Sequence, residues 1–210
     1  MSNNGCSTCG LKHQCVCKIR PKLTPNWRLV LLTHPNEFRR DTNTGQLLAT
    51  SIGNCEVMEW HRKEPPAQLL HYMQDPNLKP VVLFPSDTSQ LLATKTHEED
   101  DKTWLFILLD GTWQEAKKMH NRSSWLQALP HCHLAITEAS SYPLRRNQKQ
   151  GNLCTCEVGI HLLKATHNPQ AADSLNEFFQ HYLQVFQADK SGHLWQSSKD
   201  GAFSSSGSPK

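Results

Sequence analysis

The residues best suited to chemistry in this chain form a short segment near its middle, where an apolar run ends in a carboxylate. Residues 104–109 (WLFILL) are followed at once by Asp110 and Gly111. Thr112 and Glu115 then stand three residues apart, which is the spacing of a helix capping box. Asp110 would therefore lie beside the positive end of a helix, where it could act on a bound ligand or could simply form the turn. The spacing alone leaves both roles open.

A second set of chemically competent residues is a cluster of four cysteines near the start of the chain. Two residues separate Cys6 from Cys9, and one residue separates Cys15 from Cys17. In a reducing compartment this spacing is more typical of a metal site than of disulfides. Four thiolates fill the tetrahedral coordination of Zn²⁺ and leave no open position, so we predict a structural zinc site. A redox-active or unstructured cysteine-rich leader is the alternative. The other four cysteines lack such spacing, and we expect each of them to be a small, buried, apolar side chain.

The element that carries Asp110 should be a strand buried on both faces, because residues 104–109 show no alternation of apolar and polar side chains. Strand and helix patterns alternate about five times along the chain. This alternation predicts an α/β fold with a mostly parallel sheet flanked by helices. Ligands of such sheets bind at the carboxyl ends of the strands, which is where Asp110 would stand.

The remaining elements follow from apolar runs and from the residues that begin and end helices. Ser86 suits an N-cap position, and a helix that starts at Pro169 has its apolar residues on one face. We predict further strands at 27–33, 55–60, 81–84 and 133–136, and helices at 46–51, 65–74, 86–93, 153–164 and from 169 onward.

Three regions are predicted: a zinc-binding segment with the four clustered cysteines at 1–22, an α/β domain at 23–190, and a Ser-, Gly- and Lys-rich tail at 191–210 that should be disordered. The sequence contains no G-x-G-x-x-G dinucleotide fingerprint, no P-loop and no G-x-S-x-G nucleophile elbow. No apolar run approaches the roughly 20 residues of a membrane span, and residues 1–30 do not show the charged start followed by an apolar core that is typical of a secretory leader. We therefore predict a cytoplasmic protein without a membrane partner.

The net positive charge is mild, and two polar loops contain clusters of basic residues. The net charge of +3 permits a nucleic-acid partner without requiring one. Arg39 and Arg40 follow the first predicted strand, and Arg145, Arg146 and Lys149 form a second basic loop. Both loops could face a phosphate backbone or could be solvated.

Several motifs, in their order along the chain, resemble those of the DTW-domain family. The segment from Asp110 to Trp113, placed after an apolar strand, resembles the family's signature. The other matching motifs are the leading Cys cluster, HPNEFRRDTNTGQL at 34–47, the Asn54–Cys55 pair, LFPS at 83–86, YPLRR at 142–146 and GNLCTCE at 151–157. Each motif is weak alone, but their order is specific, and the resemblance covers residues 6 to about 187.

The resemblance implies a tRNA-uridine aminocarboxypropyltransferase. Such an enzyme moves the 3-amino-3-carboxypropyl group of S-adenosylmethionine to the position-3 nitrogen of a uridine in tRNA and leaves 5′-methylthioadenosine. The resemblance also implies a SPOUT-like fold related to the knotted methyltransferases, although the sequence pattern by itself gives no reason to expect a knot. S-adenosylmethionine and structural Zn²⁺ are the expected cofactors and tRNA the expected partner; no obligate protein partner is inferred.

The implied reaction gives roles to individual residues. The uracil imide must lose a proton, which Asp110 could accept, or the same carboxylate could hold the ammonium group of the cofactor. Helix N-termini near Thr112 and Thr155 suit the carboxylate of the cofactor. Trp113 or Tyr142 could stack on the target base after that base has flipped out of the RNA. The predicted cofactor-binding residues are Phe84, Pro85, Ser86, Gly111, Thr112, Trp113, Leu144 and Thr155. The predicted tRNA-binding residues are Arg39, Arg40, Tyr142, Arg145, Arg146 and Lys149.

Two other functions remain open at the level of the sequence. One is an RNA methyltransferase of SPOUT-like fold that uses the same cofactor, which the identity of the spent cofactor would distinguish. The other is a non-enzymatic, zinc-dependent RNA-binding module, which would bind tRNA without binding S-adenosylmethionine.

Overall fold

The computed structural model describes residues 5–92, 101–135 and 153–196. Its strands are β1 (Arg28–Thr33), β2 (Cys55–Glu59), β3 (Leu78–Leu83), β4 (Gln90–Leu91), β5 (Thr103–Asp110) and β6 (His131–His133). Its helices are α1 (Gly45–Ser51), α2 (Ala67–Gln74), α3 (Trp113–Arg122), α4 (Ser124–Gln127), α5 (Thr155–Ala165) and α6 (Pro169–Lys190). Single 3₁₀ turns lie at Cys17–Ile19 and Glu37–Arg39.

The strands of the described residues form one sheet in the order β2-β1-β5-β3-β6-β4, and every neighbouring pair is parallel. The predicted α/β fold with a parallel sheet is thereby confirmed. β5 lies inside the sheet between β1 and β3, and every residue from Trp104 to Asp110 is buried. A strand covered on both sides has no solvent-facing row, which explains why its sequence shows no alternation.

Helices cover both faces of the sheet. Successive side chains of β5 point to opposite faces, so that Phe106 packs toward one layer and Ile107 toward the other. The first layer consists of α1, α5 and α6, and Leu48 and Phe179 are among its fully buried residues. The second layer consists of α2, α3 and α4, with Met119 fully buried.

The cysteine-containing segment packs against the first helix layer. Cys9, Leu11 and Val16 are buried in the same apolar cluster as α5 and α6. The backbone N–H groups of Lys12 and His13 donate to Oδ1 of Asp189, near the end of α6, at 2.9 and 2.7 Å. The predicted zinc-binding segment therefore shares the core of the α/β domain, and anything that unfolds the segment also exposes part of that core.

The structure corrects two of the predicted elements. Residues 86–93 were expected to form a helix, but Gln90 and Leu91 pair with β6 as a short edge strand. The turn that precedes this strand is closed by the Ser89 hydroxyl, which donates to the carbonyl of Ser86 at 2.7 Å. The strand expected at 133–136 begins two residues earlier, at His131. Of the predicted tail, residues 197–210 lie outside the described residues, and the knot remains a prediction.

No helix in the described part of the chain combines the length and the apolar character that crossing a membrane requires.

Close contact between α1 and α5 depends on Gly159. A Cβ atom at Gly159 would lie 2.3 Å from Cδ1 of Leu48, whose side chain is fully buried, so either the side chain or the helix must shift. We expect Gly159→Ala to lower the free energy of unfolding by roughly 1–3 kcal/mol through overpacking, which outweighs the gain in helix propensity of up to about 1 kcal/mol. Urea denaturation measures the change.

Gly53→Ala is the matched control, because a Cβ atom there would meet Cγ2 of Thr24 at 3.4 Å, an ordinary contact. A Gly159→Ala protein as stable as the Gly53→Ala protein would show that the two helices are not in close contact.

Candidate active site

Asp110 ends β5 at the carboxyl edge of the sheet, beside Thr33 at the end of β1. Its side chain is buried, with a relative exposure of 1% for the residue. The Thr33 hydroxyl donates to Oδ2 of Asp110 at 3.1 Å. The apolar strand therefore positions a carboxylate at the edge where parallel sheets bind their ligands.

Segments from two other parts of the chain converge on the same carboxylate. The hydroxyl of Thr155, the first residue of α5, donates to Oδ1 of Asp110 at 2.7 Å. The side-chain amide of Asn43 donates to Oδ2 at 3.3 Å. Gly45, the first residue of α1, approaches so closely that a Cβ atom would lie 2.7 Å from Oδ2. Asp110 thus ties the starts of α1 and α5 to the edge of the sheet, in a fixed orientation.

The helix that follows Asp110 begins with the predicted capping box. The Thr112 hydroxyl oxygen accepts from the backbone N–H of Glu115 at 3.2 Å, and the Thr112 N–H donates to Oε2 of Glu115 at 2.9 Å. Glu115 also receives a fork of two hydrogen bonds from Arg40, Nη1 to Oε2 at 2.6 Å and Nη2 to Oε1 at 2.8 Å. Asn36 donates to Oε1 at 2.9 Å, so the loop after β1 is clamped to the start of α3.

Arg40 and Arg39 have different environments although they are neighbours. Arg40 forms ion pairs with both Glu37 and Glu115. A phosphate contact from Arg40 would have to compete with these two carboxylates. Arg39 is exposed on the 3₁₀ turn, and no acidic partner among the described residues pairs with its guanidinium.

The Glu115 contacts make stability depend on pH. Burial disfavours the charged carboxylate, yet hydrogen bonds from Arg40, Asn36 and Thr112 hold the pKa of Glu115 well below its ordinary value of 4.5. Because the pKa is lower in the folded state, ionised Glu115 stabilises the fold above about pH 4.5, and this contribution is lost as the pH falls further. We expect Glu115→Gln to cost roughly 1–3 kcal/mol at neutral pH and to flatten the loss of stability in acid.

Chemical denaturation across the acid range measures this effect, with Glu59→Gln on the edge strand β2 as the control. Glu59 is exposed, so its replacement should leave the free energy of unfolding at neutral pH nearly unchanged. If the free energy of unfolding fell equally with acid in the wild type and in Glu115→Gln, the hydrogen bonds from Arg40 to Glu115 would contribute nothing to stability.

Aromatic side chains stack on one another just after the ends of β3 and β5, on the edge of the sheet that Asp110 also occupies. The rings of Phe84 and Trp113 stack with centroids 5.5 Å apart, and Phe84 also stacks on His120 at 4.7 Å. Phe84 is buried, whereas Trp113 is 45% exposed. The exposed part of the Trp113 ring is therefore available to a planar ligand near the carboxyl edge of the sheet.

Some of the other predicted ligand-binding residues lie in the part of the chain that the structure describes, and the rest lie outside it. Pro85 is exposed and Ser86 half-buried, in the turn after β3 that also contains Ser89. Gly111 lies between Asp110 and the N-cap of α3. The remaining predicted residues lie outside the described part of the chain: Tyr142, Leu144, Arg145, Arg146 and Lys149.

Three residues that contact or approach the carboxylate were not predicted from the sequence. Thr33, Asn43 and Gly45 surround Asp110, although they are more than 60 positions away in the sequence. Thr33 carried a weak signal, since it is a polar residue that ends an apolar strand. The pattern Asn-x-Gly before a helix indicates by itself only a turn-rich loop.

Burial makes the cysteines outside the N-terminal cluster poor nucleophiles. It raises the pKa of Cys55, Cys132 and Cys154 to about 12 each, so all three are protonated at neutral pH. The negative charge of nearby Asp110 adds to the effect at Cys55. A covalent mechanism through these thiols is therefore disfavoured.

The four N-terminal cysteines come together in space. The sulfur of Cys6 lies 3.7 Å from that of Cys17 and 3.6 Å from that of Cys15, and the sulfurs of Cys9 and Cys15 are 3.9 Å apart. Tetrahedral Zn–S bonds of about 2.3 Å require sulfur separations of about 3.8 Å. Among the described residues, this is the one grouping of His, Cys, Asp and Glu side chains that could hold a metal ion.

The chain resembles known proteins over most of its length. A family model described as the DTW domain matches residues 3–187. The chain is 29% identical over 143 residues to tRNA-uridine aminocarboxypropyltransferase 2 of Drosophila melanogaster. That match covers 65% of this chain and 55% of the relative, so the chain spans little more than half of the relative's length. No solved structure matches the chain.

Proposed function

Because this chain belongs to the DTW-domain family, we propose that it transfers the 3-amino-3-carboxypropyl group of S-adenosylmethionine to the position-3 nitrogen of a uridine in tRNA, in the cytoplasm. The observation that carries the proposal is the segment from Asp110 to Trp113, which stands at the carboxyl edge of the sheet where α1, α3 and α5 begin. The name of the Drosophila relative supports the same reaction.

Asp110 is the catalytic carboxylate of this proposal. The uracil imide is a weak acid, and its nitrogen attacks carbon only after the proton has been accepted. The hydrogen bonds from Thr155 and Asn43 fix the direction of the carboxylate, so that it meets the base in one orientation. The sulfonium of the donor supplies the activated carbon and leaves as the neutral thioether of 5′-methylthioadenosine.

The protein must also choose between the carbons bonded to sulfur. A methyl group is the least hindered of them, so the aminocarboxypropyl carbon reacts only if it is held in line with the nucleophile. In the proposal, backbone N–H groups in the first turns of α3 and α5, beside Gly111, Thr112 and Thr155, hold the carboxylate of the donor. In the proposal, Trp113, which is 45% exposed, stacks on the target base.

The proposed adenosine contacts come from Phe84, Pro85, Ser86 and Leu144. The proposed tRNA contacts come from the exposed Arg39 together with Tyr142, Arg145, Arg146 and Lys149. Arg40 is assigned instead to holding the loop after β1, because two carboxylates already occupy its guanidinium.

We also propose that the four N-terminal cysteines bind a structural zinc ion. The sulfur separations of Cys6, Cys9, Cys15 and Cys17 fit tetrahedral Zn²⁺, and a closed set of four thiolates leaves no position for a substrate. The metal would hold together a segment whose Cys9, Leu11 and Val16 complete the core.

The reaction is tested by incubating purified protein with S-adenosylmethionine and unmodified tRNA and analysing the nucleosides after digestion. We expect 3-(3-amino-3-carboxypropyl)uridine. A methylated nucleoside instead would identify an RNA methyltransferase. Strong binding of tRNA without any calorimetric signal for S-adenosylmethionine would identify a non-enzymatic RNA-binding module.

A further inference from the structure

A cleft separates the cysteine-containing segment from the loop that leads into α1. Its volume is about 190 Å³. Thr8, Cys9 and Gly10 form one wall, Phe38 and Arg39 belong to the opposite wall, and Tyr182 of α6 also lines it. This volume is below the roughly 300 Å³ at which pockets for drug-sized ligands begin, so the cleft suits one flat ring rather than a whole cofactor.

The loop wall offers the side chains that bind an unpaired nucleotide. Phe38 lines the cleft and is 53% exposed, so its ring is accessible to a stacking partner. The exposed Arg39 follows it directly, so a stacking surface and a cation stand side by side. Arg40, the next residue, is held in place by Glu37 and Glu115 and anchors the turn that presents both side chains. Aromatic stacking beside a cation is the common mode of single-stranded RNA recognition.

The opposite wall belongs to a segment with an excess of positive charge. Residues 5–22 contain no Asp or Glu, and their basic residues are Lys12, Lys18, Arg20 and Lys22. These four charges exceed the two negative charges that a Zn²⁺–tetrathiolate centre would carry. Asp41 also lines the cleft, and the exposed Arg39 offsets it. None of the segment's four basic residues lines the cleft itself, but the segment as a whole has a net positive charge, which favours the approach of a phosphate backbone.

The cleft adjoins the candidate active site. Asn43 is among the residues that line the cleft, and its side-chain amide donates to Oδ2 of Asp110 at 3.3 Å. An RNA strand whose target base reaches Asp110 would therefore place a neighbouring nucleotide at the cleft.

We propose that this cleft binds an unpaired nucleotide next to the target uridine, with its base stacked on Phe38 and its phosphate on Arg39. The inference rests on the proposed function, which supplies the assumption that the protein binds tRNA. It also gives the cysteine-containing segment a second role: besides completing the core, the segment forms one wall of the RNA site through Thr8, Cys9 and Gly10.

The test compares the affinity of the full chain for unmodified tRNA transcripts across a salt series. Phe38→Ala should weaken binding by roughly tenfold or more, because one base loses its stacking partner. Arg39→Ala should weaken binding and lower the slope of log affinity against log salt by about one. Affinity for S-adenosylmethionine, measured by calorimetry, should be unchanged in both variants.

The matched controls are Leu70→Ala on α2 and Arg122→Ala at the far end of α3, which are exposed but remote from the cleft. Both should bind tRNA like the wild type. Phe38→Ala and Arg39→Ala proteins that also bind like the wild type would overturn the inference while leaving the transfer reaction untouched. A wild type that binds tRNA through Phe38 and Arg39 but transfers nothing would overturn the proposed function and leave the cleft assignment standing.

Discussion

The replacement of Asp110 by Asn is expected to abolish group transfer while tRNA and S-adenosylmethionine still bind. Loss of a general base typically lowers a rate by ~10²–10⁴-fold. Raising the pH should restore part of the activity, because uracil then ionises without help from the protein. Single-turnover rates with saturating tRNA, measured at several pH values, separate this effect from binding.

Thr155→Val is the matched control, because it removes the hydroxyl that donates to Asp110 but retains the shape of the side chain. If Asp110 only anchors the start of α5, the two variants should lose activity and stability to a similar degree. If Asp110 accepts the proton, Asp110→Asn should be far slower than Thr155→Val and alone should respond to pH. Loss of cofactor binding in a folded Asp110→Asn protein would instead assign the carboxylate to the ammonium group of the donor.

The second large effect is expected from loss of the metal. Purified protein should contain one zinc per chain, and Cys9→Ser should remove it and lower the melting temperature. Structural zinc contributes on the order of 10 kcal/mol in isolated zinc-finger peptides, and Cys9 is buried in the main core, so the loss should extend beyond the segment itself. Metal analysis and thermal unfolding with and without a chelator measure both quantities.

Cys132→Ser is the control for Cys9→Ser, since Cys132 is equally buried but stands outside the cluster. Its replacement should leave the zinc content unchanged, whatever its effect on stability. Purified protein without stoichiometric zinc, together with a Cys9→Ser protein that unfolds like the wild type, would show that the four cysteines bind no structural metal.

The unit formed by β5 and α3 could be predicted from sequence because its determinants are local. An unbroken apolar run specifies a strand buried on both faces, and Thr112 and Glu115 specify the start of a helix. The structure has both, with β5 ending at Asp110 and the capping box complete. The four cysteines could be grouped for the same reason, since all of them fall within one short segment.

The surroundings of Asp110 could not be predicted, because they are assembled from distant parts of the chain. Thr33, Asn43 and Thr155 lie 77, 67 and 45 positions away from it. Their contacts depend on which strands become neighbours, and local pattern contains no information about that. The short strand β4 was missed for a related reason: its two residues are a strand only because β6 lies alongside.

Arg39 and Arg40 show the same limit at the level of single residues. The two are equivalent in sequence, and both were predicted to contact phosphate. Their environments differ because Arg40 meets a carboxylate 75 positions further along the chain, whereas Arg39 remains exposed. A basic residue on a loop can therefore be assigned to a nucleic-acid surface only when its neighbours in the folded structure are known.

The identity of the spent donor tests the central claim most directly. After one round of reaction with unmodified tRNA, mass spectrometry of the small-molecule fraction should find 5′-methylthioadenosine in an amount equal to the modified uridine. S-adenosylhomocysteine in its place would contradict the account, because it would mean that the methyl group, and not the aminocarboxypropyl group, had been transferred.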